Sequence, residues 1–305
     1  MSSILDKAKL GSQPGGRPPV AVELSPEGVL AAALPGMGHK ATYAFEPLPA
    51  GAIVPGIGEP NLRAPGPVAN AIRTALGQVS PRTHAITLIL PDTVVRVFVL
   101  DFDSMPGKSA EAYSVLRFRL RKMVPFEVEH SGLSYQMLVE TKTECKVLAA
   151  IIPGPILAEY EAVVRAAGYE PGAVLPSGLA ALEAIESMEA MLIANLSPLA
   201  LTTSITNGRD LLLYRTLDLP EDPGQRLAEV QRGIAVAAAY FEDKLLVKPR
   251  QLYFAGVGET ADFGAWIENQ DMTVVDLAPK PETGAATALG SANIAGVVGA
   301  LAGVS

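Results

Sequence analysis

Two segments of the chain, far apart in sequence, share one pattern of apolar and polar positions. Residues 20–24 form an apolar run that is followed by Ser-Pro and by a second apolar run at 29–34. Residues 192–196 form another apolar run, again followed by Ser-Pro and by a further run at 199–206. Short apolar runs that are bounded by turn residues predict strands. The repeat therefore predicts a duplicated core, each copy of which opens on a strand–turn–strand hairpin.

The elements between the two hairpins predict a small inserted module. An apolar strand pattern at 94–100 is followed by helical spacing of apolar positions at about 109–123. Two further strand patterns come next, at 133–139 and 146–152. The succession strand–helix–strand–strand predicts one compact unit within the first half of the chain.

The second half continues with hairpin and helix signals. Asn207-Gly208 separates the run at 199–206 from a third predicted strand at 211–216 and favours a two-residue hairpin turn. Apolar positions spaced three and four apart predict a long helix at about 225–245. A strand at 251–255 then leads into a glycine-rich turn.

These patterns divide the chain into three parts. Residues 1–18 are rich in Gly, Pro and Ser and are expected to form a flexible N-terminal segment. Residues 19–190 are predicted to form a first lobe, with the module inserted at about 94–152, and residues 191–305 a second lobe. The predicted fold class is therefore α/β and bilobed.

Composition narrows the classes of function. The 24 Lys and Arg residues against 32 Asp and Glu leave a net charge of −8, so we expect no nucleic-acid partner. No apolar run reaches the roughly 18 residues of a membrane span, so we expect no direct membrane insertion. The single cysteine and the three scattered histidines form no ligand cluster, so we also expect no metal site.

One stretch of the predicted module resembles a known family. Residues 116–129 read LRFRLRKMVPFEVE, and residues 133–138 read LSYQML. This charged helix, Val-Pro-Phe step, acidic loop and strand are similar to the pattern of the PilM family of type IV pilus assembly proteins, in the actin-like ATPase superfamily. The resemblance extends more distantly to the cytosolic part of GspL of type II secretion. Residues 48–54, LPAGAIV, are similar to the loop before the family's first long helix.

The resemblance implies a bilobed actin-like fold of duplicated ribonuclease-H-like cores, with a degenerate nucleotide site. Actin-like ATPases carry Asp-x-Gly at both hairpin turns. The Asp holds Mg²⁺, and the Gly, which has no Cβ, lets the backbone approach the phosphates closely. This chain has Glu23-Leu24-Ser25 and Asn195-Leu196-Ser197 instead. Pro26 and Pro198 each remove a nearby N–H donor. We therefore expect no catalytic residue and no required cofactor, although ATP and Mg²⁺ stay possible ligands.

The glycine-rich turn after 251–255 has two functional interpretations and one structural one. Gly256 and Gly258 resemble the adenosine loop of the family, but they also suit close strand–helix packing. The same residues fit a G-x-G-x-x-A dinucleotide motif, with Asp276 at the end of a next strand. This alternative enzyme class leaves too little chain after Asp276 for the parallel strands that it requires.

The resemblance also implies a partner and a location. PilM-like proteins are cytosolic and peripheral at the inner membrane, where they bind the N-terminal tail of a PilN-like membrane protein and join other pilus assembly components. The tail is expected in a groove between the first-lobe core and the module, near Val124, Pro125 and Phe126. Phe126 has an alternative role inside the module core. A nucleotide-binding switch with ATP-controlled partner affinity is the alternative function.

Overall fold

The strands and helices of the computed structural model largely follow the predicted order. The structure describes residues 16–34, 40–141, 143–185, 187–256, 258, 260–267, 271–278, 289 and 292–304. The strands are β1 Val20–Leu24, β2 Gly28–Ala33, β3 Thr42–Pro47, β4 Ala85–Leu90, β5 Arg96–Phe102, β6 Gly132–Glu140, β7 Cys145–Ile152, β8 Glu170–Pro176, β9 Ala190–Leu196, β10 Ala200–Asn207, β11 Asp210–Asp218, β12 Gln251–Gly256 and β13 Thr273–Asp276. The helices are α1 Pro65–Val79, α2 Ser109–Leu120, α3 Gly154–Ala166, α4 Ser177–Leu182, α5 Pro223–Leu245, α6 Thr260–Trp266 and α7 Ala295–Ala302.

The repeat in the sequence corresponds to two sheets of one topology. The first sheet has the order β3-β2-β1-β4-β8 and the second the order β11-β10-β9-β12-β13. In both sheets the first three strands pair antiparallel and the last two add in parallel. The two sheets are separate and equivalent, which confirms the duplicated core.

Each sheet carries its core between itself and the helices that connect its strands. In the first lobe, α1 and α3 pack on one face of the sheet, where buried aliphatic side chains meet Tyr160 of α3. In the second lobe, α5 and α6 cover the sheet in the same way. Helix α5 begins at a favourable cap, because the Asp222 carboxylate accepts a hydrogen bond from the Gln225 N–H at 2.9 Å and Pro223 occupies the first turn.

The last helix of the chain packs on the first lobe. Helix α7 contacts β1, β2, β4 and α4, and its Val297, Ala300 and Leu301 join the apolar cluster on the other face of the first sheet. The second lobe was predicted to span residues 191–305, but α7, near the end of that range, packs on the first lobe. Close approach is possible because Gly299 has no side chain: a Cβ there would collide with the Ala180 carbonyl oxygen.

The predicted module is present as a three-stranded antiparallel sheet of order β5-β7-β6 with α2 on one face. Helix α2 ends at Leu120, three residues before the predicted end, and residues 121–123 form a turn. The other face of the module sheet meets the second lobe, because Val97, Val99 and Leu148 pack with residues of β9 and β11. The module therefore contacts both lobes.

Candidate functional site

A small cleft opens between the lobes, where β1 and β9 end. Its volume is about 90 Å³. All four residues that replace the Asp-x-Gly positions line it: Glu23, Ser25, Asn195 and Ser197. The tertiary structure therefore brings these predicted site residues together, as the repeat implied.

The two serines of the cleft have equivalent roles in their own turns. The Gly28 N–H donates to Ser25 Oγ at 3.3 Å, and the Ala200 N–H donates to Ser197 Oγ at 3.0 Å. In return, the Ser25 N–H donates to the Gly28 carbonyl at 3.0 Å, and the Ser197 N–H donates to the Ala200 carbonyl at 2.9 Å. The Ser25 and Gly28 amides of the first turn and the Ser197 and Ala200 amides of the second are thus bonded within the hairpins and are not free to bind a phosphate.

Asp92, which sequence reasoning missed, is the centre of the polar network behind the cleft. It lies in a short 3₁₀ turn after β4 and accepts four hydrogen bonds. The donors are the Gly178 N–H at 2.8 Å, Thr202 Oγ1 at 2.7 Å, Asn195 Nδ2 at 3.2 Å and Tyr214 OH at 3.4 Å.

Three of these donors belong to the second lobe, so the Asp92 carboxylate joins the two lobes. Burial raises the pKa of Asp92, and the four donors oppose that rise. A Cβ at Gly178 would lie 2.8 Å from Asp92 Oδ2, so a glycine is needed beside the carboxylate. The only signal in the sequence is an acidic residue that follows a buried strand after a single proline, Pro91.

Glu23 is held in an environment that opposes its charge. Its Oε1 accepts a hydrogen bond from Ser177 Oγ at 2.6 Å, while its Oε2 is buried and has no hydrogen-bond partner among the described residues. Helix α7 covers it, since a Cβ at Gly296 would lie 2.5 Å from Oε2. Burial raises the pKa of Glu23 to about 7, with smaller contributions from the nearby carboxylates of Asp92 and Glu27.

The lining of the cleft has the wrong charge for a polyphosphate. Among its described residues there is no Lys, Arg or His, whereas Glu23, Glu27 and Asp92 are acidic. The Asn195 amide is also engaged, since its Oδ1 accepts from Asn293 Nδ2 at 3.3 Å. The described residues contain no group of three His, Cys, Asp or Glu side chains placed to hold a metal ion. The cleft has room for small polar molecules such as water, but its described lining offers no cationic group for transition-state charge.

Gly256 and Gly258 do not line this cleft. A Cβ at Gly256 would collide with the Phe254 ring and would approach Leu196 Cβ to 3.0 Å, so this glycine permits close packing of β12 on β9. Gly258 has φ +105°, a conformation that favours glycine. The residues between and after them, 257 and 259, lie outside the described residues. Asp276 accepts a hydrogen bond from Thr260 Oγ1, and the antiparallel hairpins of this sheet exclude the doubly wound parallel sheet of the dinucleotide alternative.

A second concavity lies between the first-lobe core and the module. This groove, of about 320 Å³, runs between β8 and β6. Each of the two strands is the last of its sheet among the strands that the structure describes. The groove is lined mainly by apolar side chains and strand backbone, including Leu90, Val95, Ala150, Ile152, Leu157, Ala173 and Val174.

The three predicted partner residues lie elsewhere in the module. Val124 is buried in the core beneath α2, Phe126 is half-buried against that same core, and Pro125 is exposed. None of them lines the groove between β8 and β6. For Phe126 the geometry matches the alternative of packing within the module.

The fold agrees with solved structures of bilobed, actin-like proteins, whereas no protein-family profile and no curated protein matches the sequence. The PilM–PilN type IV pilus biogenesis complex aligns at a TM-score of 0.74 and 18% identity, over 94% of this chain and 98% of the other. The cytoplasmic domain of EpsL, an inner membrane component of the type II secretion system of Vibrio cholerae, aligns at 0.50 and 12% identity, over 77% and 81%. A Bacteroides thetaiotaomicron protein with an actin-like ATPase fold aligns at 0.48 and 10%, over 84% and 88%.

The class defined by the duplicated sheets and the interlobe cleft is the actin-like fold. Within that class the fold of the chain is similar to that of the PilM–PilN complex structure over 94% of this chain. Among the described residues, no helix is both long and apolar enough to cross a bilayer.

Proposed function

We propose that this protein is a non-catalytic scaffold of a type IV pilus assembly complex, located in the cytoplasm at the inner membrane. In this proposal it binds the N-terminal tail of a PilN-like membrane protein in the groove between β8 and β6. The groove itself is the observation that carries the proposal. The overall fold of the chain, which supports the proposal, is similar to that of a PilM whose structure was solved in a complex with PilN.

The groove suits an extended peptide for a physical reason. An edge strand presents backbone N–H and C=O groups that an added strand can pair with. Strand β8 contains Pro171 and Pro176, which have no N–H, so β6 offers the more complete set of donors. Main-chain hydrogen bonds to β6 would hold the tail, while side-chain pockets would select its sequence.

The groove also indicates the composition of the tail. Its floor is formed by Leu90, Val95 and Ile152, which would accept apolar side chains. Glu161 is the one acidic side chain among the described lining residues, and none of them is basic. Arg165 already pairs with Glu161 at 3.0 Å, so the described lining offers no unpaired charge to the tail. We therefore expect a tail with alternate apolar residues.

The absence of catalysis is part of the proposal, and three features of the interlobe cleft support it. The cleft volume of about 90 Å³ is well below the roughly 300–1,000 Å³ of small-molecule sites. Its described lining has no cation, and the Gly28 and Ala200 amides at the two hairpin turns are bonded to Ser25 and Ser197. A nucleotide-controlled switch would require the lobes to open and the Asp92 network to break.

The test is the affinity for a synthetic peptide with the N-terminal tail sequence of the PilN-like protein from the same organism. Ala173 lies half-buried in the groove wall, and Ala173→Trp should fill the groove and weaken binding by about tenfold or more. Ala110→Trp, on the exposed face of α2, is the matched control and should bind normally. Failure of the wild-type protein to bind the peptide at high micromolar concentration would contradict the scaffold function.

A parallel measurement addresses the nucleotide. We expect no thermal shift with Mg-ATP and no hydrolysis above background. Hydrolysis that disappears in Glu23→Ala would show a working ATPase and would refute the non-catalytic part of the proposal. A thermal shift with ATP that also changes peptide affinity would instead support the switch.

A further inference from the structure

The loop that follows α5 exposes two adjacent apolar side chains to solvent, and one of them has a left-handed backbone conformation. Leu246 caps the helix in the left-handed conformation, with φ 58° and ψ 23°, and its N–H donates to the Glu242 carbonyl at 2.8 Å. Its residue surface is 87% exposed, and that of the next residue, Val247, is 57% exposed. The basic loop consists of residues 246–250 together with Lys244 in the last turn of α5.

A leucine at this cap is conformationally costly. Glycine is the usual residue in a left-handed helix cap, because a Cβ is strained there. The same hydrogen bond to Glu242 would form with glycine, so the leucine side chain adds nothing to the cap itself. Backbone strain of this kind is concentrated at functional sites. The strain at Leu246 therefore indicates a use for the exposed side chain.

Cationic side chains surround this apolar tip. Lys244, Lys248 and Arg250 are exposed, and none has an ion-pair partner among the described residues. Lys244 lies over the Tyr240 ring, 5.6 Å from its centroid. The three cations outnumber the two carboxylates of the last helical turn, Glu242 and Asp243. The excess holds for the stretch 242–250 itself, since Lys244 also lines a groove that contains Asp101, Glu144 and Asp210.

The small size of the exposed apolar tip favours contact with a lipid bilayer over contact with a protein partner. A stable protein contact requires a broad complementary area, of about 800 Å² on each side. Two adjacent apolar side chains on a convex turn provide much less, but they suit insertion at the boundary of headgroups and acyl chains, with cations at the phosphates. We propose that the basic loop is a membrane-contact site, in which Leu246 and Val247 enter only the headgroup layer of an anionic bilayer and no segment spans it.

This contact is separate from the groove between β8 and β6. The basic loop belongs to the second lobe, whereas the groove lies between the first-lobe core and the module. The two sites can therefore act together: the tail would supply the specific attachment, and the basic loop would orient the second lobe on the bilayer. Loss of one contact should leave the other intact.

The experiment is flotation of the full chain with vesicles of phosphatidylglycerol and phosphatidylethanolamine, compared with vesicles of phosphatidylcholine alone. We expect binding to the anionic vesicles only, weakened by salt. The double variant Leu246→Gly with Val247→Ser should bind about tenfold less, because the apolar tip is lost. Lys248→Glu with Arg250→Glu should also reduce binding by about tenfold or more. Met188→Ser, at another exposed apolar residue, is the matched control and should bind as the wild type does.

Two results would overturn the membrane-contact site. One is absence of wild-type binding to anionic vesicles, and the other is equal binding by the wild type and the Leu246→Gly, Val247→Ser variant. Glycine is favoured at the left-handed cap, so Leu246→Gly should leave the melting temperature unchanged or raise it. A loss of vesicle binding with an unchanged melting temperature therefore does not come from misfolding. Tail-peptide affinity measured on the same variants distinguishes this failure from failure of the scaffold function.

Discussion

Replacement of Glu23 by Gln should change how the stability of the protein depends on pH. The Glu23 carboxyl is enclosed by α7 and by the end of β1, with Oε2 buried and unpaired among the described residues. Burial raises its pKa from 4.5 to about 7. A raised carboxyl pKa means that folding favours the protonated form. The native protein therefore binds more protons than the unfolded chain between these two pH values.

The sign and size of the effect follow from this difference. The contribution of Glu23 to stability is greatest below pH 4.5 and falls as the pH rises towards 7, because the native state must then hold a buried charge. At pH 8 the loss amounts to at most about 3 kcal/mol, since each pKa unit corresponds to about 1.4 kcal/mol. Part of the Glu23 residue remains accessible to solvent, which makes this figure an upper limit.

The assay is urea unfolding at pH 5 and pH 8 for the wild type, Glu23→Gln and the control Glu189→Gln. Gln keeps an oxygen that accepts from Ser177 but carries no charge, so the variant should be more stable than the wild type at pH 8 and should lose much of the pH slope. Some slope should remain, because burial also raises the pKa of Asp92. Glu189 is exposed, and its variant should behave as the wild type does. An unchanged slope in Glu23→Gln would refute the reasoning.

Three further substitutions test the packing. Asp92→Ala should cost about 2–4 kcal/mol in urea unfolding, because buried donors from both lobes lose their acceptor; a change below 1 kcal/mol would contradict its role in joining the lobes. Gly299→Ala should cost about 1–3 kcal/mol, as its Cβ collides with the carbonyl of α4, whereas Gly66→Ala, in open space, should be neutral or stabilising. Phe126→Ala should cost about 2–3 kcal/mol of stability, seen as a lower melting temperature, and should leave tail-peptide affinity unchanged. Weaker peptide binding with an unchanged melting temperature would place Phe126 in the partner site.

The local pattern of the sequence was sufficient for the repeated hairpins and for the module. Apolar runs around Ser25-Pro26 and Ser197-Pro198 predict strands because a strand's side-chain period is a local property. The serines themselves act locally, since each closes a turn within three residues of its own position. Residues whose function is completed by near neighbours can be identified from sequence alone.

Two strands escaped prediction because their identity depends on their neighbours. Strand β3 is half-exposed and has no apolar run that predicts a strand, although it pairs with β2 along its whole length. Strand β8 contains two prolines and a glycine, which indicate a loop. It is a strand because it lies at an edge, where one side needs no ladder hydrogen bonds, and this edge forms one wall of the proposed partner groove.

Two parts of the interlobe site could be found only in the tertiary structure: the central Asp92 carboxylate and the helix α7 that covers Glu23. Asp92 meets Thr202 and Tyr214 across more than a hundred residues of sequence, and Glu23 meets Ser177 and Gly296 across still greater separations. No spacing rule relates such positions, because the strand order of the two sheets decides which ends converge. The sequence could therefore indicate that the nucleotide motifs had changed. Only the fold could show that buried donors, a covering helix and closed turns now occupy their place.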